Sequence, residues 1–238
     1  MSAAALRALH VPGSPLVLPN AWDAGSAKLV ADAGFAAVAT TSSGVAAALG
    51  HADGEDAPVD DVLAVVARIA GTVSVPVTAD MEGGYGLAAD ELADRLRAIG
   101  AVGLNVEDTD HRRRPALKDP QRHAAYLAAL KDAGDLVVNA RIDVHLRQAG
   151  TTEDALERAR RYLAAGADCV YPIGIADEDD IAAFTALGAP VNVLLRPGAP
   201  SPERLAALGV ARISLGGGLH AAATAAVQRR LAELQPPR

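Results

Sequence analysis

Carboxylates at the ends of apolar segments are the residues of this sequence best suited to chemistry. Asp80 ends the run VPVTAD at 75–80, Glu82 follows it, and Glu107 lies near the end of the run VGLNVED at 102–108. Like charges that converge repel one another unless a cation holds them. Oxygen ligands without cysteine or histidine suit a hard ion, so we predict a Mg²⁺ site, with Mn²⁺ as the second choice and some acids bound through water. The alternative is that these acids cap helices or face solvent.

An arginine and a turn of small polar residues supply positive charge and hydrogen-bond donors for an anion. Arg141 ends the run LVVNAR at 136–141, where a guanidinium binds a carboxylate or phosphate with two hydrogen bonds. Its alternative role is a structural ion pair with Glu107. The turn after the run AAVAT at 36–40 exposes N–H groups and hydroxyls that can cradle an anion; its residues are Thr41, Ser42, Ser43 and Gly44. We therefore predict a small anionic substrate.

The elements that position these residues alternate regularly along the chain. Eight short apolar runs, which begin near residues 16, 36, 75, 102, 136, 168, 190 and 211, are separated by longer stretches of helical period. Apolar runs without polar alternation are typical of parallel strands that are buried on both faces. Eight such units predict a single (β/α)8 barrel over residues 1–238, with a doubly wound open sheet as the rival. A barrel places its active site at the carboxyl ends of the strands, where these acids and Arg141 lie.

Composition narrows the function classes further. The 238 residues are 50% hydrophobic and 21% charged, with a net charge of −7. Nucleic acids and anionic membranes both select a positive surface, so we expect neither as a partner. The single cysteine, Cys169, excludes an intramolecular disulfide and a cysteine-based zinc cluster. No run is long enough for a membrane span and the N-terminus does not resemble a secretory signal, so we expect a cytoplasmic protein.

Four segments together resemble the isocitrate lyase/phosphoenolpyruvate mutase superfamily. They are the segment from PNAWD to HADGE at 19–55, VPVTADMEGGYG at 75–86, GLNVEDT at 103–109 and NARIDV at 139–144. The resemblance implies a Mg²⁺-dependent barrel that cleaves or rearranges a C–C or C–P bond of a small 2-oxo or 2-hydroxy acid through an enolate-like intermediate. It implies that Asp80 binds the metal directly, and that Glu82 and Glu107 bind mainly through water.

The same resemblance assigns roles to further residues. It implies that Ser42, Ser43 and Arg141 bind the substrate. Asp53, in the segment LGHADGE, matches a loop aspartate that acts near the chemistry, and Tyr85 of the GYG loop has a positioning role. For the proton donor or acceptor the candidates are Asp53, His111 and Tyr85. The family exchanges its last helix between subunits, which implies a homodimer or homotetramer that swaps the helix at 219–234.

One loop departs from the family pattern. Isocitrate-type lyases carry a K-[KR]-C-G-H loop after the fourth strand, and mutases carry a K-T-N-S-type loop, whereas this chain has DTDHRRRPALKDP at 108–120. The residues of this loop that could gate access to the active site are His111, Arg112, Arg113 and Arg114. We therefore expect a Mg²⁺-dependent lyase or decarboxylase that acts on a small 2-oxo or 2-hydroxy (di)carboxylic acid. The alternatives are phosphonopyruvate hydrolase or phosphoenolpyruvate mutase chemistry, and a non-catalytic barrel that binds an oxo acid.

Overall fold

The computed structural model describes residues 1–111 and 116–235 of the chain. The strands of this part are β1 (Leu16–Leu18), β2 (Asn20–Ala21), β3 (Val38–Thr40), β4 (Val77–Asp80), β5 (Gly103–Glu107), β6 (Val137–Ile142), β7 (Cys169–Pro172), β8 (Asn192–Leu194) and β9 (Arg212–Ser214). Its helices are α1 (Ala3–Ala8), α2 (Ala24–Asp32), α3 (Ser42–Leu49), α4 (Val59–Thr72), α5 (Ala89–Ala98), α6 (Pro120–Ala133), α7 (Thr152–Ala164), α8 (Glu178–Thr185), α9 (Pro202–Ala207) and α10 (Gly218–Leu234).

The strands close into a ring in which every pair is parallel. One sheet has the order β2-β3-β4-β5-β6-β7 and the other has the order β1-β9-β8. β1 and β2 form one barrel strand that changes partner at Pro19, a residue with no N–H to donate to a ladder. A parallel bridge between Val170 and Val191 joins β7 to β8. The predicted (β/α)8 barrel is confirmed and the open sheet is excluded, while the assignment of residues 1–238 to one domain stays a prediction.

Two short helices were not anticipated from the apolar pattern. α1 begins after Ser2, whose side chain accepts a hydrogen bond from the Ala5 N–H, and it buries Leu6 completely. Leu6 packs at the amino-terminal end of β5, where a Cβ on Gly103 would lie 2.9 Å from Leu6 Cδ2. α3 begins directly after β3, and its first turn is the Thr-Ser-Ser-Gly segment that we predicted as a turn. This helix places its N-terminus at the carboxyl end of the barrel.

The two faces of the strands differ in chemistry. On β5, Leu104 and Val106 belong to the apolar layer between sheet and helices, whereas Asn105 faces the opposite side. Asn105 Oδ1 accepts hydrogen bonds from Asn139 Nδ2 at 2.9 Å and from Arg212 Nη2 at 3.1 Å. Because β5 and β9 are not neighbours, the contact with Arg212 crosses the barrel interior. The interior is therefore a polar layer inside an apolar wall.

Helix α10 is the least packed element of the described chain. It contributes no buried residue, and Val227, Leu231 and Leu234 are each more than half exposed. The exchange of this helix between subunits stays a prediction. Among the described helices, α10 included, none combines the length and apolar content that crossing a membrane requires.

Candidate active site

The mouth cavity lies at the carboxyl ends of the strands and has a volume of about 190 Å³. Its wall includes six of the predicted site residues, namely Thr41, Ser42, Ser43, Asp53, Asp80 and Arg141. Polar residues outside that set also contribute, among them Asn20, Asn105, Tyr171 and Ser214. Residues from at least six different strands or strand ends thus surround one small space, as the barrel topology requires.

Asp80, at the end of β4, is held firmly and keeps one oxygen available. Its N–H donates to Thr40 Oγ1 at 2.8 Å, and its Oδ2 accepts from the Ser42 N–H at 3.0 Å. Ser42 is the first residue of α3, so the positive end of the helix dipole faces this carboxylate. Asp80 Oδ1 is buried and has no hydrogen-bond partner among the described residues. A buried acceptor without a donor is costly, so Oδ1 is the atom that a cation would satisfy.

Glu82 is held by its own loop and by the loop between α3 and α4. Its Oε1 accepts from the Tyr85 hydroxyl at 2.5 Å and its Oε2 accepts from the Glu55 N–H at 2.7 Å. Glu82 and Tyr85 both have left-handed backbones, with φ of 46° and 54°. Such conformations are costly for residues other than glycine, and they cluster at functional sites. Burial, together with the charges of Asp53 and Asp80, raises the pKa of Glu82 to about 7.

Glu107 and Arg141 face each other at the ends of neighbouring strands. Arg141 Nη1 lies 2.5 Å from Glu107 Oε2, and Arg141 Nε and Nη2 donate to the two carboxylate oxygens of Asp143 at 2.7 and 3.0 Å. The other Glu107 oxygen lies 2.6 Å from His111 Nε2. Burial raises the pKa of Glu107 against the opposing effect of Arg141. Arg141 therefore lines the cavity with its charge already balanced by two carboxylates.

Glu82 and Glu107 are each hydrogen-bonded or ion-paired within the protein, Glu82 to Tyr85 and Glu55 and Glu107 to Arg141 and His111. Within residues 1–111 and 116–235, no group of three His, Cys, Asp or Glu side chains is arranged to hold an ion. Because Glu82 and Glu107 are expected to bind a metal mainly through water, the assignment of the three acids as metal ligands stays a prediction. The donor set still fits a divalent cation that takes Asp80 Oδ1 directly and reaches the other two acids through water.

Five predicted residues lie outside the mouth cavity wall: Glu82 and Glu107, whose contacts are given above, and Tyr85, His111 and Gly44. The Tyr85 hydroxyl is bonded to Glu82, and His111 lines a second cavity of about 410 Å³ between the loops that follow β4 and β5. Burial disfavours the charged form of His111, but its hydrogen bond to Glu107 and the charge of Glu107 raise its pKa overall. Gly44 is packed rather than exposed to the cavity, because a Cβ there would lie 2.7 Å from Thr41 Cγ2. Arg112, Arg113 and Arg114 lie outside the described residues.

Sequence reasoning missed residues that hold this site together. The two carboxylate oxygens of Asp143 accept hydrogen bonds from Arg141, and the Asp143 N–H donates to Asp108 Oδ1 at 2.9 Å. The acid of NARIDV, two residues after the arginine on the same strand face, was the available signal. Lys118 Nζ donates to the carbonyls of Gly83 at 2.7 Å and Glu107 at 3.1 Å, and so ties the two loops together. Burial lowers the pKa of Lys118.

The chain is similar to enzymes of one superfamily over nearly its whole length. The family model described as phosphoenolpyruvate phosphomutase matches residues 6–235. An uncharacterised protein of Mycobacterium tuberculosis is 40% identical over 226 residues, 92% of this chain and 86% of that protein. An oxaloacetate decarboxylase of Rhodopseudomonas palustris is 32% identical over 248 residues, 97% of this chain and 84% of the relative.

Solved structures agree with these relatives. The structure of 2,3-dimethylmalate lyase, which is described as a PEP mutase/isocitrate lyase superfamily member, superposes with a TM-score of 0.88 at 28% identity, over 98% of this chain and 87% of that one. Phosphonopyruvate hydrolase in complex with oxalate and Mg²⁺ gives a TM-score of 0.84 at 26% identity, with the same two coverages. The chain belongs to the isocitrate lyase/phosphoenolpyruvate mutase superfamily.

Proposed function

We propose that this protein is a Mg²⁺- or Mn²⁺-dependent lyase that breaks a C–C bond of a small 2-oxo or 2-hydroxy acid, with decarboxylation of a 2-oxo dicarboxylate as the leading reaction. The observation that carries the proposal is Asp80 at the mouth cavity, with Oδ2 fixed by the Ser42 N–H and with Oδ1 buried and unpartnered within residues 1–111 and 116–235. A carboxylate in this state is prepared for a cation. The chain's superfamily contains lyases, decarboxylases and mutases.

Asp80 would hold the ion directly, and Glu82 and Glu107 would hold its water ligands. When bound, such an ion polarises the keto oxygen of the substrate and offsets the negative charge that develops there. The protein's task is then to fix three carboxylates at defined positions. It does so with the Ser42 N–H, the Tyr85 hydroxyl and the Arg141 guanidinium.

The first turn of α3 is suited to the substrate carboxylate. Thr41 Oγ1 and Ser43 Oγ lie 3.1 Å apart and both residues line the cavity. The N-terminus of a helix combines backbone N–H groups with a positive dipole end, a combination that binds anions. Arg141 is held on two sides by Asp143 and Glu107, so it presents a fixed edge to the cavity and orients a bound anion.

In this proposal Asp53 takes a proton from water and passes it to the substrate carbon. Loss of CO₂ from the carbon next to the keto group leaves an electron pair on that carbon, and a proton must be added there to complete the product. Among the three candidates, Asp53 lines the mouth cavity. Tyr85 and His111 instead hydrogen-bond to Glu82 and Glu107, which makes them positioning residues for those acids.

Decarboxylation is favoured over a lyase reaction of the isocitrate type. The chain lacks the cysteine loop of those lyases, and it matches an oxaloacetate decarboxylase over 97% of its length. The second candidate is C–P chemistry, which is favoured by the phosphomutase family model and by the similarity to phosphonopyruvate hydrolase. A homodimer or homotetramer, a cytoplasmic location and the exclusion of nucleic-acid and membrane partners stay predictions.

The test compares wild type with Asp80→Asn on oxaloacetate and related oxo and hydroxy acids, with Mg²⁺ or Mn²⁺ and with a chelator. We expect metal-dependent loss of oxaloacetate absorbance in wild type, and a decrease of about a hundredfold or more in Asp80→Asn, with weaker Mn²⁺ binding by calorimetry. Asp61→Asn, an exposed acid in the first turn of α4, is the matched control. Undiminished turnover and metal binding in Asp80→Asn would refute the proposal. Phosphorus NMR on phosphonopyruvate tests the C–P alternative.

A further inference from the structure

Arg212 is an arginine buried in the barrel interior, and no described carboxylate forms an ion pair with it. Its side chain is 0% exposed. Nε donates to Ser214 Oγ at 3.2 Å and Nη2 donates to Asn105 Oδ1 at 3.1 Å, while Nη1 is buried and has no partner in the described part of the chain. A buried charge with incomplete hydrogen bonding costs free energy of folding. Stability alone does not explain why this position holds an arginine.

The position of Arg212 relative to the mouth cavity points to function. Residues two apart on a strand share a face, so Arg212 and Ser214 both point into the barrel, with Arg212 one step deeper. Ser214 and Asn105, the two residues to which Arg212 donates, both line the mouth cavity. Arg212 thus lies directly beneath the cavity floor and touches it from below.

The charge of Arg212 differs from that of Arg141 in being uncompensated. Arg141 contacts the carboxylates of Glu107 and Asp143, which together outweigh its positive charge. In the part of the chain that the structure describes, Arg212 has no acid within ion-pair distance. Burial lowers its pKa and the charge of Asp80 opposes that effect, but a guanidinium remains protonated in proteins. A positive charge is therefore available below the cavity for an anion above it.

Arg212 also determines the orientation of the Asn105 amide. A guanidinium can only donate hydrogen bonds, so the amide atom that faces it must be Oδ1. Asn139 Nδ2 donates to the same oxygen at 2.9 Å, which leaves that oxygen fully used. The Asn105 Nδ2 group donates to no described residue, and Asn105 lies in the cavity wall. The Asn105 amide is consequently fixed in an orientation that leaves its N–H₂ group available to a ligand.

We propose that Arg212 is a positioning residue for the anionic substrate: it fixes the Asn105 amide with its N–H₂ group towards the mouth cavity and places an uncompensated positive charge beneath it. Asn105 is then a substrate-binding residue in direct contact with the anion. This inference rests on the proposed function, because it requires that the cavity bind a small oxo acid.

The experiment measures the binding of oxalate, a small dianion, by calorimetry in the presence of Mg²⁺, together with the thermal unfolding midpoint. The variants are Arg212→Met, Arg212→Lys and Asn105→Asp, with Arg204→Met as the control. Arg204 is an exposed arginine on α9 whose partner is Glu178, so its loss reports the effect of removing a surface charge.

We expect Arg212→Met to weaken oxalate binding by roughly tenfold or more, the range of one charge-assisted hydrogen bond, without lowering the midpoint. Arg212→Lys should recover much of the affinity, because lysine retains the charge and a donor for Asn105. Asn105→Asp should lose the affinity while remaining at least as stable as wild type, because the new carboxylate pairs with Arg212 and removes the N–H₂ donor. This variant keeps the proposal testable if Arg212→Met fails to fold.

Two results separate the inference from the proposed function. If wild type binds oxalate and Arg212→Met or Asn105→Asp binds it equally well, the role of Arg212 is wrong and the proposed function stands. If wild type binds no oxalate with either Mg²⁺ or Mn²⁺, the proposed function fails and the inference fails with it. A lowered midpoint with unchanged oxalate affinity in Arg212→Met would show that Arg212 is structural.

Discussion

The buried carboxylate of Asp108 and its partner Arg158 offer a quantitative test of the electrostatics around the site. Asp108 is 0% exposed and accepts hydrogen bonds from Arg158 Nη1 at 3.0 Å, the Tyr162 hydroxyl at 2.8 Å and the Asp143 N–H at 2.9 Å. Removing one partner of a buried ion pair costs about 3–5 kcal/mol. Because two donors remain on Asp108, we expect Arg158→Met to lower the free energy of unfolding by about 3 kcal/mol.

That free energy corresponds to a decrease of roughly 6–12 °C in the unfolding midpoint, since 1 kcal/mol shifts the midpoint of a domain of this size by about 2–4 °C. The matched control is Arg161→Met on the same helix, α7. Arg161 pairs with Glu157, and both side chains are about half exposed. An exposed pair of this kind contributes at most about 0.5 kcal/mol, so the control should lose no more than roughly 2 °C.

The pH dependence of the difference in unfolding midpoint between wild type and Arg158→Met gives a second measurement. Burial raises the pKa of Asp108, and loss of Arg158 removes a charge that opposes this effect. An acid whose pKa is higher in the folded state binds more protons when folded, so acidification favours folding. The deficit of Arg158→Met should therefore shrink as the pH falls from 8 to 5. Equal midpoints for Arg158→Met and Arg161→Met, or a deficit that grows on acidification, would refute the reasoning.

Two further predictions concern the arginine of the cavity and a buried histidine. Arg141→Lys keeps the positive charge but loses the bidentate contact with Asp143. We therefore expect kcat/KM to fall about tenfold or more in steady-state kinetics. Unchanged kinetics would contradict the positioning role of Arg141. Burial, with the nearby charge of Arg212, lowers the pKa of His10 to about 4. The unfolded chain takes up this proton first, near pH 6.5, so about 3 kcal/mol of stability is lost as the pH falls from 6.5 to 4. Urea unfolding of His10→Gln should show a weaker dependence on pH over that interval, and an identical dependence would contradict it.

The barrel and its polar strand ends could be predicted because each rests on a local property of the sequence. Apolar runs mark strands that are buried on both faces, and a residue such as Asp80 or Arg141 that ends a run must lie at the carboxyl edge. Helices α1 and α3 escaped prediction because neither follows the regular alternation of strand and helix. Helix α1 precedes the first strand, and α3 is a second helix between β3 and β4, in addition to α4.

The partners of the site residues could not be predicted, because they depend on contacts between distant segments. The hydrogen bond from Tyr85 to Glu82 requires a left-handed backbone at both residues, and nothing in their types demands one. In the run ARISLGG, Arg212 and Ser214 alternate with apolar residues, so the pattern places both on one face of the strand. The contact of Arg212 with Asn105 could not be predicted, because the two residues are 107 positions apart in the sequence.

The distribution of charge at the mouth cavity explains why a bound anion requires positive charge from two positions. Asp80 and Asp53 line the cavity, and Arg141 brings Glu107 and Asp143 with it, so the described wall carries more acids than bases. A small dianion in that space is repelled unless positive charge is added. The proposed cation on Asp80 would add it at the rim, and Arg212 would add it from below. Because both act on the same anion at short range, the effects of removing the metal and of Arg212→Met on oxalate affinity should not be additive. Removal of either the metal or the Arg212 charge should already abolish most of the oxalate affinity. Removal of the other should then reduce the affinity little further.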